Sequence, residues 1–106
     1  MTSKCQIIYW RDIPAQVKVR SATARTARSL SERFQQAIDA AAMWEGLIGT
    51  NEYLSMWRTS PWFDREGAAE EVASELVMEL EAAIPQDLLT ELVAKGGHSL
   101  TTSPGK

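Results

Sequence analysis

The residues of this chain whose types could do chemistry lie in one short run, Tyr9-Trp10-Arg11-Asp12-Ile13-Pro14-Ala15-Gln16-Val17. Within it, Arg11 could hold an anion and Asp12 could take up or release a proton. The same two residues also suit a turn. In that interpretation Asp12 accepts backbone N–H bonds near Pro14, and Arg11 reaches a carboxylate on a helix. The run alone leaves both interpretations open.

The other groups that catalysis or metal binding would need are far apart in the sequence. Cys5 is the single thiol and His98 the single imidazole, and they lie near opposite ends of the chain. A metal site requires three or four converging ligands. A phosphate cradle requires a Gly-rich loop between a strand and a helix, and the sequence has none. We therefore predict no catalytic residue, no metal site and no cofactor.

The length and composition are typical of one small globular domain. The chain has 106 residues, of which 44% are hydrophobic and 24% charged, close to the average for globular proteins. No apolar run approaches the roughly 18 residues of a membrane span, and a single cysteine forms no intramolecular disulfide. We predict a cytoplasmic protein with one domain over residues 1–97 and a disordered tail over residues 98–106.

Charge is distributed unequally along the chain. Residues 1–33 carry seven basic and two acidic side chains, a net of +5, whereas residues 34–106 carry four basic and twelve acidic ones, a net of −8. Such an asymmetry can steer a charged partner, or it can bring basic strands against an acidic layer of helices. The second interpretation is the simpler one.

The segment from Lys18 to Arg28 places basic residues among small hydroxylated ones, which could contact phosphates. However, no aromatic residue lies between Lys18 and Arg33 to stack on bases, and the chain is acidic overall. We therefore predict a mobile loop from Ser21 to Arg28 and no binding of nucleic acid. Contact with an anionic cofactor or with an acidic partner surface stays open.

Two strands must position the run. Residues 5–12 are rich in β-branched and aromatic types, and residues 15–20 alternate apolar side chains with Lys18 and Arg20. Pro14 interrupts the ladder between them, so the pattern predicts a hairpin. Because a lone hairpin is only marginally stable in water, it must pack on helices or pair at its edge with a partner strand or a second copy.

Apolar residues at helical spacing predict helices after the hairpin. A capping box at Ser29–Glu32 is expected to begin the first helix, which runs to about residue 45. Three further helices are expected over residues 51–58, 65–84 and 86–95. Trp62 and Phe63 fall in the break at residues 59–64, where they form either a docking surface or a plug for the core. The predicted fold class is α+β, an N-terminal two-stranded β-hairpin packed against three to four helices.

The run from Tyr9 to Val17 resembles the small bacterial family labelled "virulence factor", as do Leu30-Ser31-Glu32-Arg33-Phe34, Ala37-Ile38-Asp39-x-Ala41-Ala42-Met43 and Tyr53-Leu54-x-x-Trp57. The resemblance covers about residues 5–60 and is weak beyond Arg58. The family label gives no mechanism, so no catalytic residue carries over. Family members occur fused to larger scaffold-like proteins and beside genes of corrinoid- and folate-dependent one-carbon metabolism, which implies an accessory role.

Two functions follow as hypotheses. The first is a small non-catalytic accessory or protein-interaction module that engages a partner through the hairpin, or forms a homodimer through the hairpin edge. Its expected binding residues are Tyr9, Trp10, Arg11, Asp12, Gln16, Lys18 and Arg20, with Trp62 and Phe63 as docking aromatics. The alternative is a small anionic ligand-binding or catalytic accessory in one-carbon metabolism, in which Arg11 holds the anion and Asp12 handles a proton.

Overall fold

The computed structural model describes residues 1–97, so the tail predicted over 98–106 lies outside the described residues. The elements in chain order are β1 (Thr2–Trp10), β2 (Ile13–Arg20), β3 (Arg25–Ser29), α1 (Glu32–Trp44), α2 (Asn51–Ser55), β4 (Trp57–Thr59), β5 (Phe63–Glu66), α3 (Ala69–Ala83) and α4 (Gln86–Ala94). The predicted α+β class is confirmed, and β1 and β2 form the predicted hairpin.

The sheet has five antiparallel strands rather than the predicted two. Its order is β3-β2-β1-β4, and β5 also pairs with β1. On that side of β1, β4 lies beside Ile8–Trp10 and β5 lies beside Thr2–Cys5. Both edges of the hairpin are therefore covered by other strands, and the outer edge of the sheet on the β2 side belongs to β3.

The prediction of a mobile loop from Ser21 to Arg28 is wrong in its second half, which forms β3. The chain reverses in a tight turn, where the Ser21 N–H donates to the Ala24 carbonyl over 2.8 Å and the Ala24 N–H donates to Ser21 Oγ over 3.2 Å. This turn returns the basic segment alongside β2, so that Arg25 is paired with Arg20. Pairing with β2 gives the segment its strand conformation despite its lack of apolar alternation.

The helix boundaries also differ from the prediction between residues 51 and 68. The second helix ends at Ser55 instead of Arg58, because Trp57 and Arg58 pair with β1. The predicted break at 59–64 contains the end of β4 and the start of β5, and α3 begins at Ala69 rather than at residue 65. Strand pairing with β1 thus replaces helix at both places.

The predicted capping box is wrong as well. Ser29 lies in β3, and Ser31 is the residue that precedes α1, without a side-chain bond to its own helix. The Ser31 N–H and hydroxyl instead donate to the Glu81 carboxylate, over 2.6 and 2.9 Å. Ser31 thus replaces Ser29 as the residue that precedes the helix, and its polar groups are satisfied by a tertiary contact with α3.

The core consists of two clusters of buried side chains, one toward the open end of the hairpin and one at its turn end. The first joins the inner face of the sheet to α3 through Cys5, Ile7, Val17, Val19, Ala69, Val72, Ala73 and Leu76. The second joins the turn end of the hairpin to α1 and α4 through Trp10, Ile13, Leu30, Phe34, Ala37, Ile38, Ala41, Ala42, Leu47, Leu89 and Leu92. The helices thus cover one face of the sheet and its turn end.

A β-bulge in β2 lies between the two clusters. Ile8 is paired with Gln16 and Tyr9 with Pro14, so Ala15 is an extra residue on β2. A bulge bends its strand and changes the direction of the side chains beyond it. Accordingly the buried hydrophobic residues of β1 are Cys5 and Ile7 before the bulge and Trp10 after it.

Charged side chains join β3, β5 and α1 to α3. Arg28 pairs with Glu70, Arg65 with Glu79 over 2.5 Å, and Arg33 with Glu81 over 3.1 Å, and the three glutamates all lie on α3. Part of the charge asymmetry in the sequence is therefore neutralised within the fold. Each helix within residues 1–97 is too short or too polar to cross a membrane.

Candidate functional site

Arg11 and Asp12 form the two-residue turn between β1 and β2, where the sequence pattern predicts strand. The φ angle of Arg11 is 54°, in the left-handed region. Two-residue hairpin turns need a positive φ, which glycine, asparagine or aspartate usually provides. A non-glycine residue in this position is held there by other contacts.

The side chain of Arg11 makes those contacts. Its Nη1 lies 2.8 Å from Oε1 of Glu45, the residue that follows α1. The same nitrogen donates to the Gly96 carbonyl over 2.6 Å, and the guanidinium lies 5.0 Å from the centre of the Trp10 ring. Only 9% of the Arg11 side chain is exposed. The structure thus shows Arg11 reaching a carboxylate at the end of a helix.

The backbone of the turn is bonded to the same surroundings. The Arg11 N–H donates to the Met56 carbonyl over 3.0 Å, and the Asp12 N–H donates to the Gly97 carbonyl over 2.9 Å. The turn is therefore attached both to the residues after α2 and to the residues after α4.

The remaining residues of the run have structural contacts too. Trp10 is fully buried, and its Nε1 donates to the Tyr53 carbonyl over 3.0 Å. Arg58 lies 4.5 Å from the Tyr9 ring and binds Asp12 Oδ1 over 3.0 Å and the Arg11 carbonyl over 2.9 Å. Burial raises the pKa of Tyr9, and the positive charge of Arg58 opposes that rise. Whether any of these residues also binds a partner stays a prediction.

A second group of predicted residues lies on the outer face of the sheet, opposite α3. Arg20 is paired with Arg25 and Lys18 with Ala27 in adjacent strands, and the guanidinium of Arg20 lies 4.4 Å from the centre of the Trp62 ring. These five side chains border an open cleft of about 300 Å³, which we call the basic groove. Its lining residues include none of the types His, Cys, Asp and Glu.

Most basic side chains in residues 1–97 have an acidic partner, since six of them lie within 4 Å of a carboxylate. Those six are Lys4, Arg11, Arg28, Arg33, Arg58 and Arg65. The cations of the basic groove differ because they have no such partner within residues 1–97. Among the described residues, Lys18, Arg20, Arg25 and Lys95 have no carboxylate partner. Three of these four lie together in the basic groove.

Trp62 and Phe63, which the sequence assigned either to a docking surface or to a plug for the core, lie in different surroundings. Trp62 is 40% exposed and stacks on Arg20, whereas Phe63 is half-buried and packs against the first core cluster. Gln16 is half-buried beside Ile8 and Ser29, between the turn and the basic groove. Seven of the nine predicted site residues thus form two groups, one around the turn and one in the basic groove, whereas Gln16 and Phe63 belong to neither.

A family model described as "Virulence factor" matches residues 8–93, most of the chain. The chain belongs to this family. The match extends well past residue 60, so α3 and most of α4 are part of the virulence factor domain together with the hairpin. Comparisons with curated proteins and with solved structures give no match.

Within the described part of this virulence factor family member, no three side chains of His, Cys, Asp or Glu form a group that could hold a metal ion. The Cys5 thiol is buried under α3, and burial raises its pKa, so the thiolate is disfavoured. The chemistry available in the basic groove is the binding of anions by its cations, one of which stacks on a tryptophan ring.

Sequence reasoning missed Glu45, Arg58 and Gly96 around the turn. Arg11 and Gly96 are 85 positions apart in the chain, and Arg58 is 46 positions from Asp12. No local pattern signals a contact over such separations. Arg25, by contrast, was visible as a member of the basic segment, and its place in the basic groove follows from its pairing with Arg20.

Proposed function

We propose that this virulence factor domain is a non-catalytic accessory module that binds an acidic partner protein through the basic groove of its N-terminal sheet. The observation that supports it is the clustering of Lys18, Arg20 and Arg25 without carboxylate partners beside an exposed tryptophan. The proposal keeps the hairpin as the binding element and assigns the contact to its outer face.

The arrangement is unfavourable for the isolated domain. Arg20 and Arg25 are paired in register on adjacent strands, and like charges directly opposite each other destabilise a sheet. Outside the groove, six of the seven basic side chains in residues 1–97 have a carboxylate partner, as in the pairs between the strands and α3. An acidic partner would supply the missing countercharge and offset the repulsion.

The residue types of the groove also favour protein binding. Tryptophan and arginine are the types most enriched at the residues that dominate binding energy in protein interfaces. Arg20 and Trp62 already stack, which orders both side chains before a partner arrives. A preordered contact loses less conformational entropy on binding.

The experiment compares charge reversal inside the groove with charge reversal outside it. The triple variant Lys18→Glu/Arg20→Glu/Arg25→Glu reverses the groove, and Lys95→Glu reverses an exposed, unpaired cation after α4. Tagged wild type and both variants are used for affinity capture from native lysate. Each captured protein is then purified and its affinity for all three forms is measured by titration calorimetry.

We expect an acidic protein that binds wild type and Lys95→Glu equally and binds the triple variant about a hundredfold more weakly or worse. Binding of the triple variant within about threefold of wild type would contradict the proposal. Circular dichroism of each variant establishes that loss of binding does not reflect unfolding.

The concavity of the basic groove supports a second candidate, a small anionic ligand. A cleft of about 300 Å³ that combines cations with a tryptophan ring suits a ligand with an acidic group and a flat ring. This candidate retains the accessory role in folate- or corrinoid-dependent metabolism. Folate and inorganic phosphate serve as probes, and a rise in the melting temperature of wild type but not of the triple variant would favour it.

A further inference from the structure

The outer edge of β3 presents backbone groups without a strand partner. The Ser21 N–H donates to the Ala24 carbonyl at one end of the β2–β3 pair. In an antiparallel pair, residues that exchange hydrogen bonds alternate with residues that do not. Counting from Ser21 and Ala24, the hydrogen-bonded pairs are Val19 with Thr26 and Val17 with Arg28.

It follows that Arg25, Ala27 and Ser29 direct their N–H and C=O groups away from β2. The Leu30 N–H donates to the Ala15 carbonyl over 2.9 Å, which fits the same alternation at the other end. β3 is the last strand in the sheet order. Such an edge is a template for an additional strand.

A cleft flanks this edge on each face of the sheet. On the outer face lies the basic groove, and Arg25 and Ala27 belong to both the groove and the edge. On the other face lies a cleft of about 320 Å³ between β3 and α3, which we call the α3 cleft; it is lined by Arg28, Ser29, Ser74, Val77 and Met78. Met78 is 69% exposed, so its side chain is accessible to a segment that enters this cleft.

We propose that an extended segment of the acidic partner adds to β3 as a sixth strand, with alternate acidic and apolar side chains. The acidic side chains enter the basic groove, and the apolar ones cover Val77 and Met78 in the α3 cleft. Successive residues of a strand point to opposite faces, so one strand reaches both clefts. Backbone bonds to the edge supply affinity, and the clefts supply specificity. This inference rests on the proposed function and adds the form of the partner.

A second copy of this chain fits the edge less well. Pairing of two β3 strands would bring the Arg25 residues of both copies to adjoining strands, with Lys18 and Arg20 of each copy one strand behind on β2. Like charges on neighbouring strands repel, and edge strands rich in basic residues resist self-pairing. Charge complementarity therefore favours an acidic segment over a homodimer.

The test uses two short synthetic peptides of equal composition. One alternates glutamate with valine, and the other groups its glutamates and its valines into two blocks. Ala27→Pro removes an N–H that points away from β2, and proline is tolerated at that position of an edge strand. Ala27→Thr is the matched control, because it retains the N–H.

We expect the alternating peptide to bind wild type and Ala27→Thr about tenfold more tightly than the block peptide, and Ala27→Pro to lose that difference. Hydrogen exchange on wild type is the second measurement and does not depend on the folding of a variant. The amides of Arg25, Ala27 and Ser29 should exchange fast in the free protein and slowly with the alternating peptide.

Failure of this inference can be distinguished from failure of the proposed function. One outcome is that the triple variant binds neither peptide, while Ala27→Pro binds both as wild type does. In that case the strand addition is overturned, and the proposal of binding through the basic groove stands. Equal affinity for the two peptides, or no change in exchange at the three amides, also overturns the strand addition. A concentration-dependent dimer of this chain that Ala27→Pro dissociates would also overturn the addition of a partner strand. Tighter binding of an oligothymidylate than of the alternating peptide would overturn it as well.

Discussion

The guanidinium of Arg11 and the carboxylate of Glu45 lie 2.8 Å apart and connect the turn of the hairpin to the end of α1. The Arg11 Nη1 atom that makes this contact also donates to the Gly96 carbonyl beyond α4. A single side chain therefore holds three segments of the chain together at the turn end of the sheet. Because Arg11 has a positive φ, its contacts also stabilise the turn conformation itself.

Removal of this contact should destabilise the domain. Arg11→Ala leaves Glu45 and the Gly96 carbonyl without a donor, and we expect the free energy of unfolding to fall by about 2 kcal/mol. The figure is below that for a fully buried pair because the Glu45 side chain is 36% exposed. Urea denaturation of Arg11→Ala, Glu45→Gln and the double variant measures the coupling, which we expect to reach about 1 kcal/mol.

The same variants test the role that the sequence pattern assigns to Arg11 in binding. If Arg11→Ala unfolds at the same urea concentration as wild type yet no longer binds an acidic partner protein, Arg11 is a binding residue rather than a residue that stabilises the fold. A lower midpoint with retained affinity identifies the contact with Glu45 as its role.

Gly96 and Gly46 provide a second prediction with a built-in control. Both have a φ of +70°, so alanine is strained to a similar degree at either position, by about 1 kcal/mol. A Cβ on Gly96 would collide with the Glu45 carboxylate, whereas a Cβ on Gly46 meets nothing within 4 Å. We expect Gly96→Ala to lower the free energy of unfolding by about 1–2 kcal/mol more than Gly46→Ala.

Thermal and urea denaturation of the two glycine variants give that difference. In a Glu45→Ala background, Gly96→Ala should lower the free energy of unfolding little more than Gly46→Ala does, since the colliding carboxylate is then absent. Equal destabilisation by the two glycine variants would contradict the tight contact of Gly96 with Glu45.

The elements that the sequence predicted well are those with a strong local pattern. The hairpin follows from the alternation around Val17 and Val19, and α3 follows from its apolar stripe, because each pattern lies within one segment. The short strands β3, β4 and β5 were missed. Each has five residues or fewer with charged side chains, and each becomes a strand by pairing with β1 or β2.

The candidate site shows the same division between local and distant information. Lys18 and Arg20 were predicted as binding residues from a local alternation, and both lie in the basic groove. The approach of Trp62 to Arg20 depends on β5 pairing with β1, which joins segments about 60 positions apart. The edge of β3 depends on its pairing with β2, which the basic segment does not signal because it lacks apolar alternation. The α3 cleft depends on the placement of α3 beside β3, which was not visible in the sequence.

Acid should destabilise the domain through the glutamates of α3. Burial of Glu81 acts to raise its pKa, but bonds from Ser31 and Arg33 outweigh it and hold the pKa below its ordinary value of 4.5. A carboxyl whose pKa is lower in the folded state stabilises the fold above its unfolded pKa, and this contribution is lost as the pH falls through the folded value. We expect stability to decline below about pH 4.5.

Glu81→Gln isolates this contribution. Its urea midpoint should be lower than that of wild type near pH 7, and the two should converge as the pH falls from 4.5 through the lower folded pKa of Glu81. Glu91→Gln, at an exposed position on α4, is the control and should follow wild type throughout. A difference between Glu81→Gln and wild type that is unchanged at low pH would show that ionisation of Glu81 does not contribute.

Cys5 should be unreactive in the folded protein. Its side chain is fully buried, and burial raises the pKa of the thiol, so both access and thiolate formation are limited. Labelling by a water-soluble thiol reagent should therefore follow the opening of the fold and accelerate steeply with added urea. A cysteine at the exposed position 22, introduced as Ala22→Cys together with Cys5→Ala, should react at the rate of a free thiol without urea. If native Cys5 reacts as fast as that control, the strands around it open readily and the packing of α3 on β1 is weaker than the structure indicates.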